Sequence, residues 1–222
     1  MAKLPNGFNG PFKGRLGKAI AYIVNGENRL RSIPERNKEK DRIETDQRKR
    51  MELTNTLLAP VKDFIKFGYN YLTSVYPSCN HHNAAVKILL KLISGTFPDL
   101  YIDYSKVLFA YGNLPLSENL AVEVVKEGLK FSWDTTTLEK GASKRDHVMV
   151  LAFYPELKSA DFIRSGAQRA VGSELLQLAA CKKNSIVEIY IAFISDDQSR
   201  VSNSHYLGQI KWPGYGAEQQ KI

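Results

Sequence analysis

The sequence predicts an α+β protein in which an N-terminal β-hairpin and two or three helices precede a seven-stranded β-sandwich. Three observations carry this prediction. Glycines at 7, 10, 14, 17 and 26 alternate with aromatic and β-branched residues near the start of the chain. Apolar residues recur at helical spacing between Met51 and Leu72, and after Pro115 seven short apolar segments follow one another between turn-rich breaks. With 222 residues the chain is long enough for one large domain or two small ones, each with a core. Hydrophobic residues at 43% and charged residues at 24% exclude a wholly disordered chain, a collagen and a coiled-coil rod.

The elements follow in order. Glycine at the density of Gly7, Gly10, Gly14 and Gly17 disfavours a helix, because each costs backbone entropy there. Residues 18–24 are apolar and β-prone, Asn25-Gly26 is a hairpin turn signal, and residues 27–33 supply the return strand. Residues 13–33 therefore read as a hairpin whose small residues allow close backbone approach. Pro34 ends it. From Asp46 the period becomes helical: Met51, Thr54, Leu57, Leu58, Val61, Phe64, Ile65, Gly68 and Leu72 form one stripe. Pro60 lacks an amide donor and is expected to kink this helix or begin a new one, and Tyr76-Pro77-Ser78 ends it. Asn83 is placed to cap a further helix carrying Ala85, Ile88, Leu89 and Leu92 on one face, with Gly95 closing it. Beyond Pro98 the spacing turns to two at Leu100, Ile102 and Tyr104, and residues 106–111 continue as a strand. The break at Gly112 to Pro115 divides an N-terminal domain, residues 1–112, from a sandwich domain, residues 113–222. The seven strands of the latter are expected at residues 120–125, 129–133, 147–154, 162–171, 175–178, 186–194 and 201–210. In the sixth, Ile189, Ile191 and Phe193 alternate with Tyr190, Ala192 and Ile194, so both faces of that strand are apolar enough to be buried. Trp133 and Tyr190 resemble the tryptophan and tyrosine placement of fibronectin type III domains, which makes the expected sandwich Ig/fibronectin-III-like.

The formal net charge of +8 is unevenly distributed. Residues 1–60 hold 13 Lys/Arg against 7 Asp/Glu, whereas residues 111–222 hold 13 of each, so an acidic partner would be drawn to the first half. Glu35, Glu39, Asp41, Glu44 and Asp46 lie among the basic residues from Arg29 to Arg50 and cancel much of this field locally. That stretch reads as a solvated, mixed-charge linker, with a phosphate-binding arm as the alternative. No run of apolar residues is long enough to span a bilayer, and the first residues lack the order of a secretory signal, so a cytoplasmic location without a membrane span is expected. Cys79 and Cys181 are too few for a disulfide framework.

Motifs for chemistry are wanting. Gly14-Arg15-Leu16-Gly17-Lys18-Ala19 has the Gly-Lys pair of a phosphate loop, but Ala19 stands where a hydroxyl residue is needed and Phe12 where the first glycine belongs. Neither a Gly-x-Gly-x-x-Gly run nor a Gly-x-Ser-x-Gly elbow occurs. Cys79, His81 and His82 share a short segment without a second ligand pair at zinc spacing. Catalytic residues, a metal and a cofactor are accordingly not expected.

Gly7, Gly10, Gly14 and Gly17, then Asn25-Gly26, Arg31-Ser32 with Pro34, Gln47 with Arg50, Gly95-Thr96 with Pro98-Asp99, the run Ile102-Asp103-Tyr104-Ser105-Lys106-Val107, Trp133, Arg169, and Val201-Ser202 with Ser204 and Tyr206-Leu207-Gly208 together resemble a family of uncharacterised proteins of Bacteroidetes-type bacteria. The resemblance covers nearly the whole chain and implies a shared fold but no catalytic residue. The family has a Ser/Pro-rich stretch where residues 35–44 here are charged.

Two functions are expected in order of preference. The first is a non-enzymatic structural or assembly protein, phage-like or mobile-element shells being one home for it. It self-associates into a homo-oligomer or docks a protein partner through the hairpin at Gly7, Gly10, Gly14, Gly17, Tyr22 and Gly26. The second is nucleic-acid binding, with Lys13, Arg15, Lys18, Arg29, Arg31, Arg48, Lys49 and Arg50 on phosphates and Tyr22 or Phe12 stacking.

Overall fold

The computed structural model describes residues 2–4, 13–24, 26–35, 44–76, 79–179 and 184–212, and it is an α+β structure composed mostly of antiparallel sheet. The chain divides into two compact units, Met1–Glu44 and Thr45–Ile222. The break expected at Gly112 to Pro115 falls inside the second.

The first unit is a four-stranded sheet. Strands β1 (Ala2–Leu4), β2 (Gly14–Leu16), β3 (Ala19–Val24) and β4 (Glu27–Ser32) lie in the order β1-β4-β3-β2. The predicted hairpin is present as β3 and β4, with Val24 opposite Glu27 across a two-residue connection. Its flanking partners β1 and β2 are an addition that strands of three residues could not announce by periodicity. Gly7, Gly10 and the mixed-charge residues 36–43 lie outside the described residues.

The second unit opens with helices. Thr45 caps α1 (Asp46–Leu58) by accepting from the Arg48 amide at 3.4 Å. Pro60 sits in a 3₁₀ turn, Ala59–Val61, from which α2 (Lys62–Gly68) departs, followed by α3 (Asn70–Val75). Helix α4 (His81–Leu89) is capped by Asn80, whose Oδ1 accepts from the Asn83 amide at 2.7 Å. Asn83, expected as the cap, is instead the donor one turn inside. Gly95 does not close this helix. It lies in β5 (Ile93–Thr96), paired with β6 (Asp99–Ile102), where side chains rarely adopt its φ of +89° and an added β-carbon would collide with the carbonyl oxygen of Asp99.

Residues 106–111, expected as a strand, join no sheet, and Val107, Phe109 and Ala110 among them are buried. The Tyr111 amide donates to Gly68 O at 2.8 Å at the end of α2. Phe109 N reaches Ser204 Oγ at 3.0 Å, and Ala110 O accepts from the Ser204 amide at 3.0 Å. The main chain is thus satisfied by a helix end and a distant loop, and a ladder is not needed.

Seven further strands form two sheets. β7 (Ala121–Val125), β8 (Gly128–Ser132) and β11 (Ser173–Gln177) lie in the order β11-β8-β7. β9 (His147–Tyr154), β10 (Ser159–Ile163), β12 (Ile186–Ile194) and β13 (His205–Lys211) lie in the order β10-β9-β12-β13. The fourth predicted strand, residues 162–171, is corrected. Strand β10 ends at Ile163 and residues Arg169–Val171 form a 3₁₀ turn, while the intervening chain still exchanges bonds with Val148. The last strand begins at His205, later than expected; Val201 makes a single bridge to Ile194.

Strands β9 and β12 are the centre of the unit. Val148, Val150, Ala152, Tyr154, Val187, Ile189, Ile191 and Phe193 join the three-stranded sheet's Val122, Val124, Leu129, Phe131 and Trp133 in one hydrophobic cluster. On the opposite face Met149, Leu151, Phe153, Tyr190, Ala192 and Ile194 join Leu57, Leu58, Phe64 and Ile65 of the helical segment in a second cluster. The alternation read from the sequence is therefore a sheet with both faces buried. Each large side chain so removed from water contributes about 1.5–3 kcal/mol. Glu188 and Tyr190 are paired in this interior: the buried Glu188 carboxylate accepts from Tyr206 Oη and Gln209 Nε2, both at 2.6 Å, and Tyr190 Oη donates to Tyr104 O at 2.8 Å. Burial pushes the Tyr190 phenol well above its usual value, with the Glu188 charge adding to the effect. A bulge between Ile189 and Tyr190 in the β12–β13 pairing coincides with Gly208, which has a φ of +117°.

Candidate functional site

The residues singled out for interaction fall chiefly on the N-terminal sheet. Gly17 (φ +58°) turns β2 into β3 and Gly26 (φ +77°) turns β3 into β4; side chains rarely adopt either conformation. A β-carbon added at Gly14, Gly17 or Gly26 would meet nothing within 4 Å. The glycines of this hairpin serve its backbone conformation, and the close approach expected of them has no counterpart among the described residues.

Register sorts the side chains. Arg15 pairs with Ile20, Tyr22 with Arg29 and Ile20 with Arg31, so Arg15, Ile20, Tyr22, Arg29 and Arg31 share one face. Gly14, Leu16, Ala19, Ala21, Ile23 and Leu30 share the other. On the first face the Arg31 guanidinium stands 5.9 Å over the Tyr22 ring, and Arg29 pairs with Glu27 at 3.3 Å. Arg15 Nε donates to Gly17 O at 3.2 Å, holding the β2–β3 turn. On the second face Ala21 is buried, but Leu16 is 67% exposed. All three residues of β2 are exposed, and among the described residues this strand is one edge of the sheet. An edge presents unpaired amides and carbonyls, to which another strand can be added.

The other basic candidates are placed differently. Lys13 and Lys18 are exposed, beside β2 and in its turn. Arg48, Lys49 and Arg50 belong to α1 in the second unit. There Lys49 pairs with Glu52 at 3.4 Å, and Arg50 bonds Asp46 at 2.9 Å, Ile93 O at 2.8 Å and Gly95 O at 3.4 Å. Arg50 thus fastens α1 to the β5–β6 hairpin. The structure brings Arg15, Tyr22, Arg29 and Arg31 together on one sheet. A grouping by face was legible in principle, since counting back from Asn25-Gly26 gives the register.

Chemistry-bearing groups are scattered elsewhere. Among the described residues no cluster of three or more His, Cys, Asp or Glu could hold a metal ion. His81 Nε2 lies 3.3 Å from Thr73 Oγ1, and partial burial draws its imidazole below the usual value, with Lys66 adding to this. Asp197, at a loop tip, is held at about 2 by the hydroxyls of Ser195 and Ser199. Asp103 caps the 3₁₀ turn Tyr104–Lys106 and pairs with Lys106 at 2.7 Å, which holds its carboxyl below the ordinary range. Among the described residues no helix is long and apolar enough to cross a membrane.

The fold and surface define a mostly β, α+β protein whose small N-terminal sheet ends, among the described residues, at the exposed strand β2 beside a basic, tyrosine-bearing face. The chain belongs to a family described as a family of unknown function, DUF6266, whose model matches residues 11–208. No curated protein and no solved structure matches it.

Proposed function

We propose that this is a non-enzymatic structural or assembly protein whose N-terminal sheet adds a strand from a second copy of the chain. The observation that carries the reading is β2: Gly14–Leu16 forms a sheet edge, is exposed throughout, and displays Leu16 at 67% exposure. A short edge with an exposed leucine gains main-chain hydrogen bonds and apolar burial together when a neighbour pairs with it. The larger unit then acts as the rigid body. We read its seven strands as an Ig/fibronectin-III-like sandwich. Lettered A, B, C, C′, E, F and G in chain order, their arrangements are E-B-A and C′-C-F-G, and Trp133 stacks edge-on against Phe193 at 5.6 Å in the shared core, all of which support this reading.

Light scattering after size-exclusion chromatography tests the proposal. The full chain is expected to run as a dimer or larger species, and Leu16→Lys to shift it toward monomer by placing a charge on the edge. A full-length chain that stays monomeric up to high micromolar concentration overturns it. A second reading, nucleic-acid binding, is favoured by the grouping of Arg15, Arg29 and Arg31 around Tyr22. Glu27 in its pair with Arg29 weighs against it. Retention of single-stranded DNA on filters at low salt, lost as salt rises, would establish that reading instead.

A further inference from the structure

A cleft of about 320 Å³ opens between α3 and α4 in the second unit, at the low end of the ~300–1,000 Å³ range of small-molecule sites. Leu72 of α3 and Ala84 and Ile88 of α4 give it apolar walls, and Tyr111 from the buried, irregular segment contributes to the lining. Lys87 and Lys91 also line it. They stand one helical turn apart, so both ammonium groups project on the same side of α4 and its C-terminal turn. Lys87 Nζ lies 5.9 Å over the ring of Tyr76, a residue 58% exposed, and neither lysine has a carboxylate within ion-pair distance among the described residues. Two cations without an ion-pair partner among the described residues, beside an apolar pocket, form an amphipathic receptor, apolar within and positive at one side.

We propose that this cleft binds a small amphipathic monoanion: a carboxylate on a compact alkyl or aryl body, the body against Leu72, Ala84 and Ile88 and the carboxylate against Lys87 and Lys91. A charge-assisted hydrogen bond from an ammonium to a carboxylate is the strong kind, and the apolar body contributes in proportion to the area it buries. A free carboxylate, rather than a lipid surface, is the ligand, because the recess is concave and bounded by two helices, whereas a lipid surface calls for a broad exposed apolar face. This assignment is independent of the strand-addition reading.

Titration calorimetry of the full chain with octanoate, 1-octanol and octylamine reads the proposal. Octanoate is expected to bind at least tenfold more tightly than octanol, and octylamine more weakly than either. The double variant Lys87→Gln/Lys91→Gln, which removes the charges of two exposed side chains, should bring octanoate down to the level of octanol. Ile88→Trp should fill the cleft and remove both, with far-ultraviolet circular dichroism reporting that the helices persist. In the unaltered protein, octanoate should also slow alkylation of Cys79, which lines the same cleft as a partly exposed free thiol, as followed by peptide mass spectrometry. Equal binding of octanoate and octanol, full octanoate affinity in the double variant, or unchanged Cys79 alkylation overturns the assignment. So does capture by phosphatidylglycerol vesicles without binding of free octanoate.

Discussion

Arg169 is 2% exposed, yet it carries a full charge into the interior. Its guanidinium reaches Ser117 Oγ at 2.7 Å and Pro115 O at 2.8 Å, faces Asp146 at 3.4 Å and lies 4.1 Å from the Phe193 ring centroid; its own carbonyl accepts from Trp133 Nε1 at 2.7 Å. Burial draws the group below its usual value and Asp146 works against that, so the charge is retained by its partners. One side chain thereby ties the entry to β7, the loop before β9 and the tryptophan of the core. Removing one member of a buried pair leaves the other uncompensated, and Arg169→Ala is expected to lower stability by about 3–5 kcal/mol in urea denaturation. Arg169→Lys should restore only part, since an ammonium cannot fork to both Ser117 and Pro115. A loss under about 1 kcal/mol for Arg169→Ala would show that solvent reaches the site. Nothing periodic in the sequence marks this role, because the partners are up to 54 positions away.

At the scale of elements, legibility followed the source of each element's stability. Strands β9 and β12 were expected at their observed bounds, because a continuous apolar run between turn residues is what a doubly buried strand requires. Residues 106–111 show a similar pattern without being a strand, since their amides and carbonyls are taken up by Gly68 and Ser204, contacts invisible to any local rule. The candidate surface was legible as a hairpin through Asn25-Gly26, but the flanking strands β1 and β2 and the cleft beside α4 were not. Both depend on which distant segments come together. The cap of α4 was misplaced by three residues because two asparagines stand one turn apart, and either could have served. The observed assignment carries its own check: Asn80→Ala should cost about 1 kcal/mol and Asn83→Ala markedly less, measured by chemical denaturation. Equal losses would mean that the Asn80 side chain does not hold the first turn.

At the scale of the whole molecule, the helices and the two larger sheets depend on each other through β9 and β12. A break in sequence at Gly112 does not separate them physically. An added β-carbon at Gly112 would collide with the carbonyl of Val201, and the Leu114 amide donates to the same Val201 carbonyl at 3.0 Å. Residues 45–222 are therefore expected to fold alone and unfold in one transition by circular dichroism and tryptophan fluorescence alike. Residues 113–222 alone would expose Met149, Leu151, Phe153, Tyr190 and Ile194, and should bind a hydrophobic dye or aggregate. A soluble, cooperatively folding fragment 113–222 would contradict this account.

The paired Glu188 has a further consequence. Sliding β12 by a single position would exchange the sets it turns to the two buried faces, carrying Glu188 from opposite Phe153 to opposite Ala152 or Tyr154 and into the cluster that holds Val148 and Val150, away from the phenol and amide that now solvate it. One acidic side chain among eight apolar neighbours in β12 thus acts as an alignment key, making misregistered assembly of the central layer costly long before the finished core could discriminate against it.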